Sequence, residues 1–264
     1  MNPSDQRFAD RVAVVTGAAS GIGAATARLL AAEGATVYCA DIDEAGGQRT
    51  AALIHGAGGS DFTLSLDVTS EEQWEAAIRH VLSSSGHLDI LVNSAGVSFA
   101  APVSEMALAD WRRVFAVNVD SIFLGTKHVL RAMTRSGGSI VNVSSASGIR
   151  PSAGASAYST SKAAVGMFTR VVAKECRERG LPIRINAVAP AGVKTPMWRT
   201  MPFFQELVAQ HGSEEAAFRA LAGSSPGRRF AEAEEIAHAI LYLASDAAAM
   251  ITGVELVIDD GYVL

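Results

Sequence analysis

Two cysteines, eight prolines and a 6% aromatic share are sparse for a chain of 264 residues, and each scarcity excludes something. Cys39 and Cys176 are too few for a disulfide framework and are expected to be reduced thiols of a cytoplasmic protein. No apolar run is long enough to span a membrane, and segment 1–11 is polar with no apolar signal core. No basic excess exists either: 22 Lys and Arg face 27 Asp and Glu, a net charge of -5. That balance argues against a nucleic-acid partner, which selects for a basic face. Linkers, low-complexity tracts, short repeats and a metal site are likewise not expected. What is plentiful is apolar surface and glycine, 49% hydrophobic residues and 24 Gly. That suffices for one large α/β domain, 1–264, with tight turns and close helix–sheet packing.

Short apolar runs alternate with helical patterns. The runs are 12–15, 36–40, 62–66, 88–92, 139–143, 183–188 and 254–258. Helices are predicted over 21–33, 43–55, 70–84, 109–133, 157–179 and 233–244. Alternation of this kind marks βαβ units, and continuous apolar runs mark strands buried on both faces. The expected architecture is a doubly wound parallel sheet of Rossmann type with helices on both sides. One stretch breaks the rhythm. Between Val188 and Ile236 the chain is rich in Met, Phe, Trp and Pro, with a Gly-Ser-Ser-Pro-Gly break at 223–227. It reads as a helical lid over about 194–228.

The first strand runs into Thr16-Gly17-Ala18-Ala19-Ser20-Gly21-Ile22-Gly23. Glycines here permit positive φ and let backbone N–H groups approach a pyrophosphate, and the following helix aims its positive end at the same anion. Beyond the second strand stands Asp41, followed by Ile42. A carboxylate at that point accepts hydrogen bonds from the adenosine ribose and repels a 2′-phosphate. No Lys or Arg lies in the glycine turn or directly after Asp41, so NAD is favoured over NADP. Asp43 is a helix-cap candidate. Asp67 and Val68, ending the third strand, either hold the adenine edge or, for Asp67, cap the next turn.

A second cluster of residues carries chemistry. Tyr158 and Lys162 are spaced i, i+4 and share one helix face. An ammonium beside a phenol favours the phenolate and lowers a pKa that is otherwise near 10, making Tyr158 a proton donor or acceptor. Ser144 and Ser145 end the fifth strand, at the carboxyl edge where ligands bind in such sheets. Asn118 lies within a predicted helix, where Asn is a poor helix former. Its side chain either binds a water, opens a backbone carbonyl or faces solvent.

Taken in order, these motifs resemble the short-chain dehydrogenase/reductase family. The resemblance covers almost the whole chain: Thr-Gly-x-x-x-Gly-Ile-Gly from Thr16, Asn-x-Ala-Gly from Asn93, Asn118, the Ser pair, Tyr-x-x-x-Lys, and Asn-Ala-Val-x-Pro from Asn186. It implies that Ser145, thirteen residues before Tyr158, bonds the substrate oxygen, with Ser144 the alternate. Tyr158 passes the proton. Lys162 bonds the nicotinamide ribose and lowers the phenol pKa, and Asn118 holds a water linking Lys162 to solvent. Asn93, Ala95 and Gly96 line the dinucleotide groove, while Pro190, Gly192, Val193 and Thr195 meet the nicotinamide. Ser147, Ala191, Met197 and Trp198 are assigned to the substrate. Two departures stand out. Ser94 occupies the place of a second Asn, and Ala191 that of a Gly, its methyl narrowing the pocket.

The expected activity is hydride exchange between NAD(H) and a secondary alcohol or ketone on a small, apolar, cyclic or steroid-like substrate. An NADPH-linked 3-oxoacyl thioester reductase is the alternative, and a non-catalytic NAD-binding module a third reading. Met197, Trp198, Met201, Phe203, Phe204, Leu207 and Val208 either form a greasy cover over the substrate or simply pack their helix at i, i+4 spacing. The helices over 157–179 and 233–244 carry apolar residues on more than one face, including Ala163, Val165, Met167, Phe168, Val171, Val172, Ile236, Ile240 and Leu243. The family pairs such helices between subunits, so a homotetramer, or else a dimer, is implied.

Overall fold

Why the chain winds as it does is visible in its first strand. In β1 (Val12–Thr16) the residues alternate between two cores: Ala13 and Val15 face one, Val12 and Val14 the other. A strand buried on both sides needs helices on both sides. In this computed structural model, which describes residues 6–223 and 226–264, α1 (Gly21–Ala32), α2 (Glu44–Gly56) and α9 (Ala233–Ala244) cover the first face. The second face is covered by α3 (Glu71–Ser85), α5 (Ser121–Met133) and α6 (Ser156–Glu178).

The remaining strands are β2 (Thr36–Asp41), β3 (Ser60–Ser65), β4 (Ile90–Asn93), β5 (Gly138–Val143), β6 (Ile183–Pro190) and β7 (Glu255–Ile258). All pairings are parallel, in the order β3-β2-β1-β4-β5-β6-β7. The order reverses between β1 and β4, and such a switch opens a crevice at the carboxyl ends of the strands. Both the glycine turn after β1 and the loop after β4 start there.

Three departures from the sequence-based expectation have physical causes. First, the single helix expected over 109–133 is α4 (Leu108–Phe115), a π-helical segment (Ala116–Asp120) and then α5. The widened turn is visible in the bond from the Ser121 N–H to the Ala116 carbonyl, five residues back. Asn118 sits at its centre. Second, the described part of the polar N-terminal stretch is docked through Arg7 and Phe8: Phe8 is buried, its N–H bonds the Glu33 carbonyl, and Arg7 pairs with Glu33. Third, β6 extends to Pro190, where the missing N–H does not matter because the strand is ending.

The segment read as a lid contains a 3₁₀ turn (Pro196–Thr200), α7 (Pro202–His211) and α8 (Glu214–Ala222). Pro202 starts α7 and Gly212, in the left-handed region, ends it. The expected Gly-Ser-Ser-Pro-Gly break includes Ser224 and Ser225, which lie outside the described residues, as do residues 1–5.

Candidate active site

The glycine turn is shaped by backbone approach. Gly17 (φ +67°) and Gly21 (φ +53°) occupy the left-handed region, and a Cβ on Gly23 would lie 2.2 Å from the Gly17 carbonyl oxygen. A Cβ on Gly17 would meet the Ala95 nitrogen at 2.9 Å, so the β4 loop runs directly alongside. Thr16 secures that contact: its hydroxyl accepts from the Ser94 and Ala95 N–H groups at 3.1 and 3.2 Å. Ser20 is the N-cap of α1 but makes no side-chain cap, and the first turn holds no acid. The helix therefore begins with N–H groups that no side chain satisfies, beside a cradle kept open by absent side chains. These features fit a dinucleotide pyrophosphate. Thr195 leans over the same turn, its Cγ2 3.1 Å from where a Gly21 Cβ would sit.

Asp41 stands at the end of β2 and is held from two directions. Its Oδ2 accepts from the Ala19 N–H and its Oδ1 from the Asp43 N–H, both at 2.9 Å. Asp43 caps α2, accepting from the Gly46 N–H. Ile42 projects into solvent, 73% exposed. Asp67 spends its Oδ1 on the N–H and hydroxyl of Thr69. The turn-capping role of Asp67 is thus the one the geometry displays, while Val68 is buried beneath it. Asn93 turns its side chain inward. Its amide points into the sheet, donating to Asn142 Oδ1 at 2.9 Å, so only its backbone can border a groove.

At the carboxyl end of β5 the two serines separate. Ser144 donates to the Lys162 carbonyl at 3.0 Å and is wholly buried, a tie between strand and helix. Ser145 accepts from the Ser147 N–H at 3.1 Å. Its own hydroxyl also reaches the Pro190 carbonyl, at 3.4 Å. Of the pair, Ser145 is the one whose hydroxyl bears on the Tyr158 pKa.

Lys162 is 3% exposed, and its Nζ donates to the Val143 carbonyl at 2.8 Å. Burial pulls its pKa down to about 8. The ammonium lies 5.7 Å from the centre of the Tyr158 ring. The expectation that it lowers the phenol pKa is not what this arrangement gives. Burial of the hydroxyl end pushes the Tyr158 pKa upward, and the opposing influence is the hydrogen bond with Ser145.

Asn118 is fully buried, which removes the solvent-facing reading. Its Oδ1 accepts from the Val97 N–H, and its Nδ2 donates to the Val97 carbonyl and to Ser161 Oγ, at 2.9, 2.9 and 3.0 Å. Ser161, which sequence reasoning missed, donates onward to the Tyr158 carbonyl at 2.7 Å. Asn118 therefore staples the β4 loop to α6 beneath the phenol. Gly96 completes the floor, for a Cβ there would sit 3.4 Å from Asn118 Oδ1 and 3.6 Å from Lys162 Nζ.

Beyond β6, the Gly192 carbonyl accepts from the Ala231 N–H, and Val193 is buried in the core with its carbonyl accepting from the Trp198 indole at 2.8 Å. A side chain on Gly192 would strike the Phe230 ring at 2.6 Å. Trp198 packs against Phe203, Phe204, Phe218 and Phe230. The packing role is the one these contacts display: Trp198, partly buried, packs against the small core of Phe204, Ala217, Phe218, Ala222 and Phe230. Ala191, Ser147 and Met197 remain partly exposed.

A switch-point crevice, a glycine cradle and a half-buried tyrosine beside a buried lysine define an oxidoreductase that works with a nicotinamide dinucleotide on alcohol and ketone groups. The comparisons agree. Residues 17–263 match a family model described as enoyl-(acyl carrier protein) reductase. Cyclopentanol dehydrogenase of Comamonas sp. (strain NCIMB 9872) is 41% identical over 257 residues, covering 97% of this chain and 98% of that one. Cis-4-hydroxycyclohexanecarboxylate dehydrogenase of Sinomonas cyclohexanicum is 43% identical over 260 residues, with 97% and 98% covered. The crystal structure of levodione reductase superposes with a TM-score of 0.88 at 33% identity, covering 97% and 98% of the two chains. The chain belongs to the short-chain dehydrogenase/reductase family.

Proposed function

We propose that this protein uses NAD(H) to interconvert a cyclic, largely apolar secondary alcohol and its ketone, with Tyr158 as the acid–base group. The observation that carries the reading is the lysine–phenol pair at the carboxyl edge of β5: Lys162 Nζ lies 5.7 Å from the Tyr158 ring centre and is tied to the Val143 carbonyl, two residues before Ser145. Tyr158 exchanges the proton with the substrate oxygen, and Ser145 orients that oxygen. Lys162, anchored by the Val143 carbonyl, holds its ammonium 5.7 Å from the centre of the phenol ring. With the Asn118 amide committed to Val97 and Ser161, a water serving Lys162 would have to bond the loosened backbone of the π turn. When bound, the nicotinamide supplies the hydride donor or acceptor. Gly17, Ser20, Gly21, Ile22, Gly23, Ala95, Gly96, Pro190, Gly192 and Val193 would border it through the backbone.

Asp41 supports NAD over NADP, because its fixed carboxylate repels a 2′-phosphate. The nearby cation, Arg49, lies 3.5 Å from Asp43 and is thereby partly neutralised. That weakens the NADPH-linked thioester alternative. The two relatives named for cyclic alcohols support the substrate class. Free, buried Cys39 and Cys176 suit a reducing cytoplasm.

The same reading includes assembly through α6 and α9. Val165, Val172, Ile236, Ile240 and Leu243 turn out to be spent on the chain's own core. Met167 and Val171 on α6 and Tyr242 on α9 remain exposed. These faces would pair subunits into a tetramer; sedimentation of a monomer at micromolar concentration would refute this.

The deciding assay follows reduced-nicotinamide absorbance with NAD and NADP across cyclic alcohols, steroids and oxoacyl thioesters. NAD-linked oxidation of a cyclic alcohol is expected. Tyr158→Phe should bind NADH normally yet lose about 10²–10⁴ in turnover. Unchanged turnover in that variant would remove the tyrosine from the mechanism.

A further inference from the structure

The last residues of the chain touch three parts of the site at once. Asp259 closes a tight turn after β7, its carboxylate accepting from the Gly261 and Val263 N–H groups at 2.9 and 2.8 Å. Asp260 and Gly261 both take positive φ to make that turn. On one side it meets Arg150. This residue ends the loop of Ser145, its N–H bonded to the Ala146 carbonyl at 2.8 Å. The Arg150 guanidinium donates to the Tyr262 carbonyl and lies 4.7 Å from the centre of the Tyr262 ring. On another side Asp260 presses against the chain returning from the lid. A Cβ on Gly227 would fall 1.6 Å from Asp260 Oδ2, so a bare glycine is what lets the carboxylate sit there. On the third, the Ile258 carbonyl accepts from the Ala191 N–H at 3.1 Å, where the lid departs.

We propose that this C-terminal turn is a latch joining the Ser145 loop to both ends of the lid, and that Arg150 is the positioning residue that fastens it. Arg150 is exposed and touches none of the catalytic side chains. Its hold combines a charge-assisted hydrogen bond with a cation–π contact, and a guanidinium can make both at once. The inference rests on the reading that substrate lies between Ser145, Tyr158 and the lid. Loosening the latch then weakens substrate capture and leaves the dinucleotide cradle, on the far side of the crevice, untouched.

The test compares Arg150→Met, Arg150→Lys and Gly227→Ala in the full chain. Hydrogen exchange of α7 and α8 without substrate reads the latch alone; kinetics on a cyclic alcohol and NADH titration read its consequence. A wild-type enzyme inactive on such alcohols would indict the substrate reading, whereas the exchange data stand independently. Arg150→Met and Gly227→Ala should speed exchange in α7 and α8, raise KM for the alcohol about tenfold, and leave kcat within about twofold and NADH affinity unchanged. Arg150→Lys, retaining a cation and a donor, should recover much of the loss. Unaltered α7 and α8 exchange in both disruptive variants overturns the latch. So does faster exchange spread evenly through the sheet, or a lysine variant no better than methionine.

Discussion

The cofactor side and the lid side of the crevice are built on different principles. Around the glycine turn, backbone meets backbone: Gly23 against the Gly17 carbonyl and Gly17 against the Ala95 nitrogen, with the Asp41 carboxylate bonded to the Ala19 N–H. Nothing there can move without several neighbours moving. The lid instead encloses a small aromatic core of its own around Trp198 and fastens its rim with exposed ion pairs such as Arg199–Glu214 and Arg229–Glu235. Exposed pairs hold weakly. The contrast teaches that the glycine turn is held by steric exclusion, while the segment over 194–228 is held by contacts that can loosen.

The sharpest attack on that contrast is Gly23→Ala. Its Cβ has no flexible neighbour to displace, only carbonyl backbone. Overpacking of this kind costs about 3 kcal/mol, and NADH affinity should fall about a hundredfold, as fluorescence titration would show. Wild-type affinity would mean the turn is softer than described.

Lys162 offers a second test, through pH. Its folded pKa of about 8 lies below the ordinary 10.5, so burial penalises the charged form. The folded protein sheds this proton near pH 8 while the unfolded chain keeps it to about 10.5. The penalty is therefore fully present below pH 8 and is relieved as pH rises through that window. In the cofactor-free protein, any stability difference between Lys162→Met and wild type should shift toward wild type by about 3 kcal/mol between pH 7 and pH 10.5. Urea midpoints that track in parallel across that range would contradict it.

Trp198→Ala should act chiefly on the lid, its tie to the cofactor side being the indole bond to the Val193 carbonyl. It should cost roughly 2 kcal/mol, less than a fully buried tryptophan, raise substrate KM severalfold and spare NADH binding. Loss of cofactor affinity would show that the two halves are not separable. The smallest expected effect is that of Asp41→Ala. Removing the carboxylate should narrow the NAD preference by about tenfold, measured as kcat/KM for both cofactors. An unaltered ratio would discharge Asp41 from selection.

Much of this was legible before any coordinates. The strand runs, the glycine turn and the Tyr158–Lys162 spacing are local patterns, and local patterns read well from sequence. What escaped depended on distant partners. The inward turn of Asn93 is set by Asn142, 49 residues on. The docking of Phe8 and the pairing of Arg150 with Tyr262 span still other distances. The direction of the Tyr158 pKa was misread because spacing reports proximity of a lysine but not the dehydration of the phenol. Trp198 illustrates a further limit, since composition alone cannot distinguish an aromatic that faces a ligand from one that faces other aromatics.

The π turn before α5 sets a phase. One surplus residue between Ala116 and Asp120 rotates everything after it by about a third of a turn relative to α4. Were a residue lost there, the inward slot of Leu124 would pass to Gly125, and Phe123 would be driven into the slot of Ile122. Single-residue deletions in this stretch should therefore be rejected far more strictly than deletions in the neighbouring loop, so that length itself, and not only residue identity, becomes the quantity natural variation is forced to preserve.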